Sequence, residues 1–324
     1  MGKLDGYKKD QLLAMLRDML IIRRFEEKAA QAYGLKKIGG FCHLYNGQEG
    51  VVVGAVAALD MKKDYLLTAY RDHGHAIATG MDPKVIMAEL FGKEAGCSRG
   101  KGGSMHMFDV EKHMLGGNGI VGGQIPVATG VAFMQMYKKT GGVTLCFFGD
   151  GAIHQGAFHE SANLASIWNL PVIYIVENNH FGMGTAVKRV SAVEDFDVKA
   201  KGYNMTGTTV NGMDVIEVHK AIKKVADTAR KDGRPALLDI KTYRYKGHSM
   251  SDPAKYRTKE ELEEFKQQDP ILMLKKDLLD AEMITEKKFE ELDKEAKAIA
   301  KQAEEFAEES PEPPLESRFE DIYA

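Results

Sequence analysis

Two short runs limit this chain most: VTLCFF at 143–148 and VIYIV at 172–176. Each is apolar at successive positions, so each is apolar on both faces of an extended strand. Strands of that kind belong in the middle of a parallel sheet covered by helices on both sides. Parallel neighbours need a crossover between them, and the intervening segment reads as a helix over 154–169. The chain is therefore expected to be α/β, with a mainly parallel sheet flanked by helices.

The remaining pattern agrees. Leu12, Leu13, Leu16, Leu20, Ile21 and Phe25 recur at helical spacing within 10–32. An Ala/Val-rich helix is expected at 48–59. Asp82-Pro83, an N-cap followed by proline at the first helical position, opens another at 83–91. Helices at 125–138 and 214–231 and a strand at 236–243 follow, and 258–308 is charged and helical before a Pro-rich tail. The spacing predicts one α/β domain over 1–324, with a helical N-terminal extension (1–35) and a C-terminal helical extension and tail (258–324). There is no internal repeat.

Composition closes several alternatives. A formal net charge of −3 offers no electrostatic footprint for nucleic acid or an anionic membrane. Cys42, Cys97 and Cys146 are scattered, with no CxxC pair, as in a reducing compartment. No apolar run approaches the ~20 residues that span a bilayer, and the N-terminus lacks the apolar core of a signal peptide. A cytoplasmic location is expected.

Residues 92–124 hold ten glycines in 33 residues and no periodicity. A loop of that length inside a compact domain is usually functional or disordered. It contains GNGIVG (117–122 spans GNGIVG), a match to the dinucleotide fingerprint. The preceding DVEKHML is not a convincing strand, and no acidic residue follows about 20 positions on, so the match carries little.

The apolar runs end in polar residues that do carry chemistry. VTLCFF runs into Gly149-Asp150-Gly151, and VIYIV into Asn178-Asn179, with 26 residues between the two motifs. Ligands of open α/β sheets bind beyond the carboxyl ends of the strands. Asp150 and Asn179 converge there if 147–178 is one βαβ unit. Glycines beside Asp150 permit close backbone approach to a ligand, and a helix starting near 153 turns its N–H groups toward an anion. A carboxylate beside a phosphate needs a cation between them. One carboxylate oxygen, one amide oxygen and phosphate oxygens suit Mg²⁺.

The GDG…NN pair resembles the signature of thiamine-diphosphate enzymes. GFCHLYNGQEG (40–50), TAYRDHG (68–74), GKGGSMHM (100–107), YRYKGHSMSDP (243–253) and PEPPLE extend the likeness over nearly the whole chain. Together they resemble the α subunits of pyruvate dehydrogenase E1 components, a thiamine-diphosphate-dependent 2-oxo acid dehydrogenase family. The acetoin and branched-chain 2-oxo acid E1 α subunits are the alternative within it. The resemblance implies thiamine diphosphate and Mg²⁺ as cofactors, decarboxylation of pyruvate, and reductive acetylation of the lipoyl group on E2. It implies metal ligands at Asp150, Asn179 and the Phe181 carbonyl. Tyr70, Arg71, Gly119, Val121, Gly151, Ala152 and His248 would contact the cofactor, with His248 and His43 near the substrate as catalytic groups. His73, His75, His106, His154 and His159 are further candidates for the cleft.

It also implies an α₂β₂ tetramer with an E1 β subunit, which supplies the pyrimidine pocket and its activating glutamate, and a lipoyl domain of E2 as partner. Ser249 matches a serine that kinases modify in mitochondrial members. Ala186 replaces a second such serine and DPAKYR is shortened, so no kinase control is expected here.

Overall fold

A computed structural model describes residues 2–320 and residue 322. Its strands are β1 (Tyr65–Ala69), β2 (Met114–Asn118), β3 (Thr144–Gly149), β4 (Val172–Asn178), β5 (Phe181–Gly182), β6 (Thr185–Ala186), β7 (Thr206–Asn211) and β8 (Ala236–Lys241). Six of them form one all-parallel sheet in the order β2-β1-β3-β4-β8-β7, and β5 and β6 make a small antiparallel hairpin. The helices are α1 (Lys9–Gly34), α2 (Glu49–Ala57), α3 (His73–Ala78), α4 (Pro83–Leu90), α5 (Gln124–Lys138), α6 (Gly156–Ile167), α7 (Val187–Val190), α8 (Val215–Asp232), α9 (Lys259–Lys266), α10 (Pro270–Asp280) and α11 (Glu286–Glu309).

The two apolar runs are the central strands β3 and β4, and their period of two divides the interior. Leu145, Phe147, Ile173 and Ile175 join Val51, Ile216 and Phe25 on one face. Cys146, Phe148, Tyr174 and Val176 join Ile125, Ala128 and Phe158 on the other. The first face carries α2 and α8, with α1, α10 and α11 packed around them; the second carries α5 and α6. The N-terminal helix is well inside: Leu12, Leu16 and Phe25 have no exposed surface. The Asp82 side chain accepts the Lys84 N–H with Pro83 in the first turn, as that dipeptide predicts. Among the described residues, no helix is long and apolar enough to cross a membrane.

The structure adds elements that periodicity did not reveal. The stretch 258–308 is three helices, interrupted where Asp269 caps α10 and Thr285 caps α11. A 3₁₀ turn at Ala152–His154 precedes α6, which begins at Gly156 rather than near 153. Most consequential is β2: MLGGN is a strand, so GNGIVG does overlap a strand end, and α5 opens just after it. This corrects the reading of its context. Two glycines and a methionine show no strand pattern; β2 exists because β1 offers it an edge to pair with.

The glycine-rich segment has an equally non-local cause. The buried Glu89 carboxylate, at the end of α4, accepts the backbone N–H groups of Ser98 (2.8 Å), Gly100 (3.0 Å), Gly102 (2.7 Å) and Gly103 (3.0 Å). Asp72 accepts the Met107 N–H at 2.9 Å. Carboxylates here do for an aperiodic loop what ladder hydrogen bonds do for a strand.

Candidate active site

Strands β1 and β3 are neighbours, yet the chain leaves β1 for the β2 edge and leaves β3 for the β4 side. This is a topological switch point, where open α/β sheets form a crevice beyond their carboxyl ends. A cavity of about 220 Å³ lies there, lined by Tyr70 and Arg71 after β1, Gly149 to Ala152 at the end of β3, and Glu177 and Asn179 at the end of β4.

Asp150 is buried, and its Oδ2 has no hydrogen-bond partner. Burial pushes its carboxyl up to about 6, with the Arg244 guanidinium pulling the other way. The two asparagines divide their work. Asn178 donates to Asp239 Oδ1 at 3.0 Å and ties β4 to β8. Asn179 turns into the cavity, where its Nδ2 donates to Gln48 Oε1 at 2.9 Å and its Oδ1 accepts from Arg244 Nη1 at 3.1 Å. The same Nη1 reaches the Phe181 carbonyl at 3.4 Å. Hence one cationic group already faces two of the three oxygens expected to hold a metal.

Two buried guanidiniums define the charge of the site. Arg71 donates to the carbonyls of Leu44 (2.6 Å) and His248 (2.7 Å). Arg244 donates to Asn179, to the carbonyls of Phe181, Met183 and Lys246, and to the Tyr256 hydroxyl. Every described partner of the pair is a neutral oxygen. Burial, together with Arg244 close by, lowers Arg71 to about 10, so it stays charged at neutral pH. Buried cations are normally paired. Two without an anionic partner, facing one cavity, mark a place for a polyanion.

A second cavity of about 560 Å³ adjoins the first and shares Tyr70, Val121, Met183 and His248 with it. Phe41, Met105 and Gly119 line it as well, opposite Ser249, Asp252 and Tyr256. His43, Tyr70 and His248 form a ring cluster on its wall, with centroids 4.6 Å (His43–Tyr70), 5.3 Å (His43–His248) and 5.5 Å (Tyr70–His248) apart. Burial, reinforced by Arg71, lowers His248 to about 4 and His43 further still, so both rings are neutral at pH 7. Their Nδ1 atoms are buried and unpartnered.

The structure thus places Asp150, Gly151, Ala152, Asn179, Phe181 and Arg71 on the first cavity, His43 and Gly119 on the second, and Tyr70, Val121 and His248 on both. It does not bring the five further histidines there. His73 is held between Glu26 and Ser104, His75 packs against Tyr45 and Phe147, and His106 lines neither cavity; His154 and His159 lie against Phe196 and Tyr203.

Gln48, Glu177, Met183 and Arg244 line the first cavity without having been singled out. Arg244 stands four residues before His248 inside YRYKGHSMSDP, and Gln48 stands inside GFCHLYNGQEG. Neither residue type marks a site by itself, and only the fold brings the two to one cavity. Glu177 is buried, raised to about 7 by burial, and accepts the Tyr45 hydroxyl. Met183 sits at φ 54° in the turn between β5 and β6, and its carbonyl accepts from Arg244 at 3.3 Å.

The donor set fits a divalent cation with a diphosphate. A buried carboxylate oxygen without a partner shares a cavity with an amide oxygen, a carbonyl oxygen and two guanidiniums whose hydrogen-bond partners are all neutral.

The family model of the dehydrogenase E1 component matches residues 17–316. The chain is 47% identical over 323 residues to a pyruvate dehydrogenase E1 component subunit alpha of Rickettsia bellii (strain RML369-C), covering 99% of each. It is 48% identical to the protein of that name from Rhizobium meliloti (strain 1021), covering 99% of this chain and 92% of the relative. It is 47% identical to that of Zymomonas mobilis, covering 97% and 89%. Motif, cavity and whole-chain likeness agree, and the chain belongs to the dehydrogenase E1 component family.

Proposed function

We propose that this chain is the α subunit of a pyruvate dehydrogenase E1 component, acting with thiamine diphosphate and Mg²⁺. The observation that carries the reading is the juxtaposition of Asp150 and Asn179, at adjacent strand ends, with two buried arginines that have only neutral partners.

Asp150, Asn179 Oδ1 and the Phe181 carbonyl would hold the metal. Arg71 and Arg244 would neutralise the diphosphate, with Tyr70 beside them and the backbone of Gly151 and Ala152 at the 3₁₀ turn. The backbone of Gly119 and Val121 would meet the thiamine portion where the two cavities join. When bound, thiamine diphosphate supplies the carbon nucleophile and electron sink for decarboxylating a 2-oxo acid. The chain's own part is to fix that group and to present neutral imidazoles. His248 and His43 offer N–H groups to the oxygens of the 2-oxo acid and can move a proton there. Phe41, Met105 and Met183 give the second cavity an apolar wall.

The chain supplies half of a site. Ile120, between Gly119 and Val121, is 73% exposed, and Phe41 is 60% exposed. Apolar groups at a cavity mouth call for a cover, supporting an E1 β subunit in an α₂β₂ assembly, with the lipoyl domain of E2 reaching the same mouth. The three unpaired cysteines fit a cytoplasmic location.

The test is 2-oxo acid oxidation with an artificial electron acceptor by this chain co-purified with its β partner. Pyruvate, a branched 2-oxo acid and acetoin are compared with and without Mg²⁺-thiamine diphosphate. Cofactor-dependent turnover fastest on pyruvate is expected. Preference for another substrate renames the enzyme, and turnover independent of the cofactor overturns the site. The α chain alone should show no substantial activity.

A further inference from the structure

Gln48 has no exposed surface, lines the first cavity and makes one described side-chain hydrogen bond, from Asn179 Nδ2 to its Oε1 at 2.9 Å. Its own Nε2 is buried without a partner. Its placement is rigid. Gly47 has φ +96°, and a Cβ there would lie 2.3 Å from the Tyr243 carbonyl oxygen, so the backbone before Gln48 is pressed against the segment following β8. The Tyr245 N–H donates to the Asn46 carbonyl at 2.9 Å and ties the same two segments together.

An asparagine amide can flip, and its partners decide which way it faces. Arg244 can only donate, so Asn179 presents Oδ1 to it and Nδ2 to Gln48, which must then accept through Oε1 and so holds that orientation from the other side. The Asn179 Oδ1 is then turned toward Arg244 and the Phe181 carbonyl, the side on which a metal would meet it. The second consequence concerns the free end of Gln48. A fully buried NH₂ with no acceptor is unfavourable unless a ligand provides one, and this one borders a cavity that also holds Arg71, Arg244 and the orphaned Asp150 Oδ2.

We infer that Gln48 is a two-sided residue of the cofactor site: its Oε1 sets the Asn179 amide for the metal, and its Nε2 donates to a diphosphate oxygen. This rests on the function proposed above. It predicts that metal and diphosphate affinities can be separated at one position.

The experiment uses the α chain with its β partner, as wild type, Gln48→Glu and Gln48→Met. Mn²⁺ binding is followed by electron paramagnetic resonance with saturating thiamine diphosphate, and thiamine diphosphate binding by calorimetry with saturating Mg²⁺. Gln48→Glu keeps an acceptor for Asn179 Nδ2 but replaces the donor with an anionic oxygen. Its Mn²⁺ affinity should stay within threefold of wild type or tighten, while thiamine diphosphate affinity falls tenfold or more. Gln48→Met should weaken both by tenfold or more. Wild-type affinities for both ligands in Gln48→Met would reduce Gln48 to packing and overturn the inference. Should Gln48→Met fail to fold, Gln48→Glu decides alone: loss of diphosphate affinity with metal affinity retained supports the inference, and any other result overturns it. A wild-type complex that binds neither ligand would defeat the parent reading instead.

Discussion

Arg23 and Arg230 are partly buried arginines of one kind, Arg71 and Arg244 fully buried ones of another. Arg23 donates to Glu49 at 2.5 Å and to Asp269 at 2.8 Å, and Arg230 clamps Asp64 with contacts of 2.6 and 2.5 Å. Its carboxylates hold Arg23 well above the ordinary arginine value despite burial, and the hydrogen bond to Asp64 raises Arg230 as well. Arg71, with carbonyls as its described partners, sits below that value, at about 10. The difference separates structure from function. Where the fold needs a buried cation, the chain supplies the anion. At the switch point the nearby carboxylates, Asp150 and Glu177, bond neither Arg71 nor Arg244, and the cations keep their donors for a ligand's charge.

The largest effect that could break this comparison is on stability. Arg23→Met leaves Glu49 and Asp269 buried and unpaired and should cost about 3–5 kcal/mol in denaturant unfolding. Arg71→Met strands only the neutral Leu44 and His248 carbonyls and should cost about 1–3 kcal/mol in the apoprotein, while abolishing measurable thiamine diphosphate binding. Equal destabilisation by the two variants would erase the distinction.

Glu89→Gln tests a carboxylate committed to the fold rather than to a ligand. Four backbone N–H groups lose a charged acceptor, and a cost of about 3 kcal/mol with new proteolysis within 96–107 is expected; unchanged stability would show that the segment holds itself. Smaller still is stabilisation by ligand. At 100 times its dissociation constant, Mg²⁺-thiamine diphosphate should add about 2.7 kcal/mol to wild type and nothing to Arg71→Met.

The smallest effect is on pH. His248 lies at about 4, below its ordinary 6.5. The unfolded chain therefore binds more protons between those values. The contribution of His248 is present above about pH 6.5 and is lost as pH falls toward 4. The apoprotein's His248→Asn variant should lose less stability than wild type over that window, by about 1 kcal/mol at most once solvent screening is allowed for. Identical slopes would place the imidazole in a more solvated setting.

Much of this was legible in the linear chain, for local reasons. VTLCFF and VIYIV are strands buried on both faces because no other placement hides two apolar faces. GDG and NN sit together because adjacent parallel strands end side by side. Asp82-Pro83 starts a helix wherever it falls. Periodicity had no access to β2, in which two of five residues are glycine and which exists only by pairing with β1. Nor could it show that Asn178 serves Asp239 and Asn179 the cavity, since the two share a residue type and lie on opposite sides of one strand end.

The amino-acid order by itself determined the layer architecture, the central strands, most helices and the polar residues delivered to the strand ends, all consequences of short-range periodicity and capping. Tertiary structure alone decided which of ten histidines face the cavities, that Arg71 and Arg244 lack anionic partners, that Gln48 meets Asn179 across 131 positions, and that Glu89 orders a glycine-rich loop. Each of these depends on long-range contacts and on the charge left unpaired after the sheet has assembled, and neither quantity is a property of any short stretch of sequence.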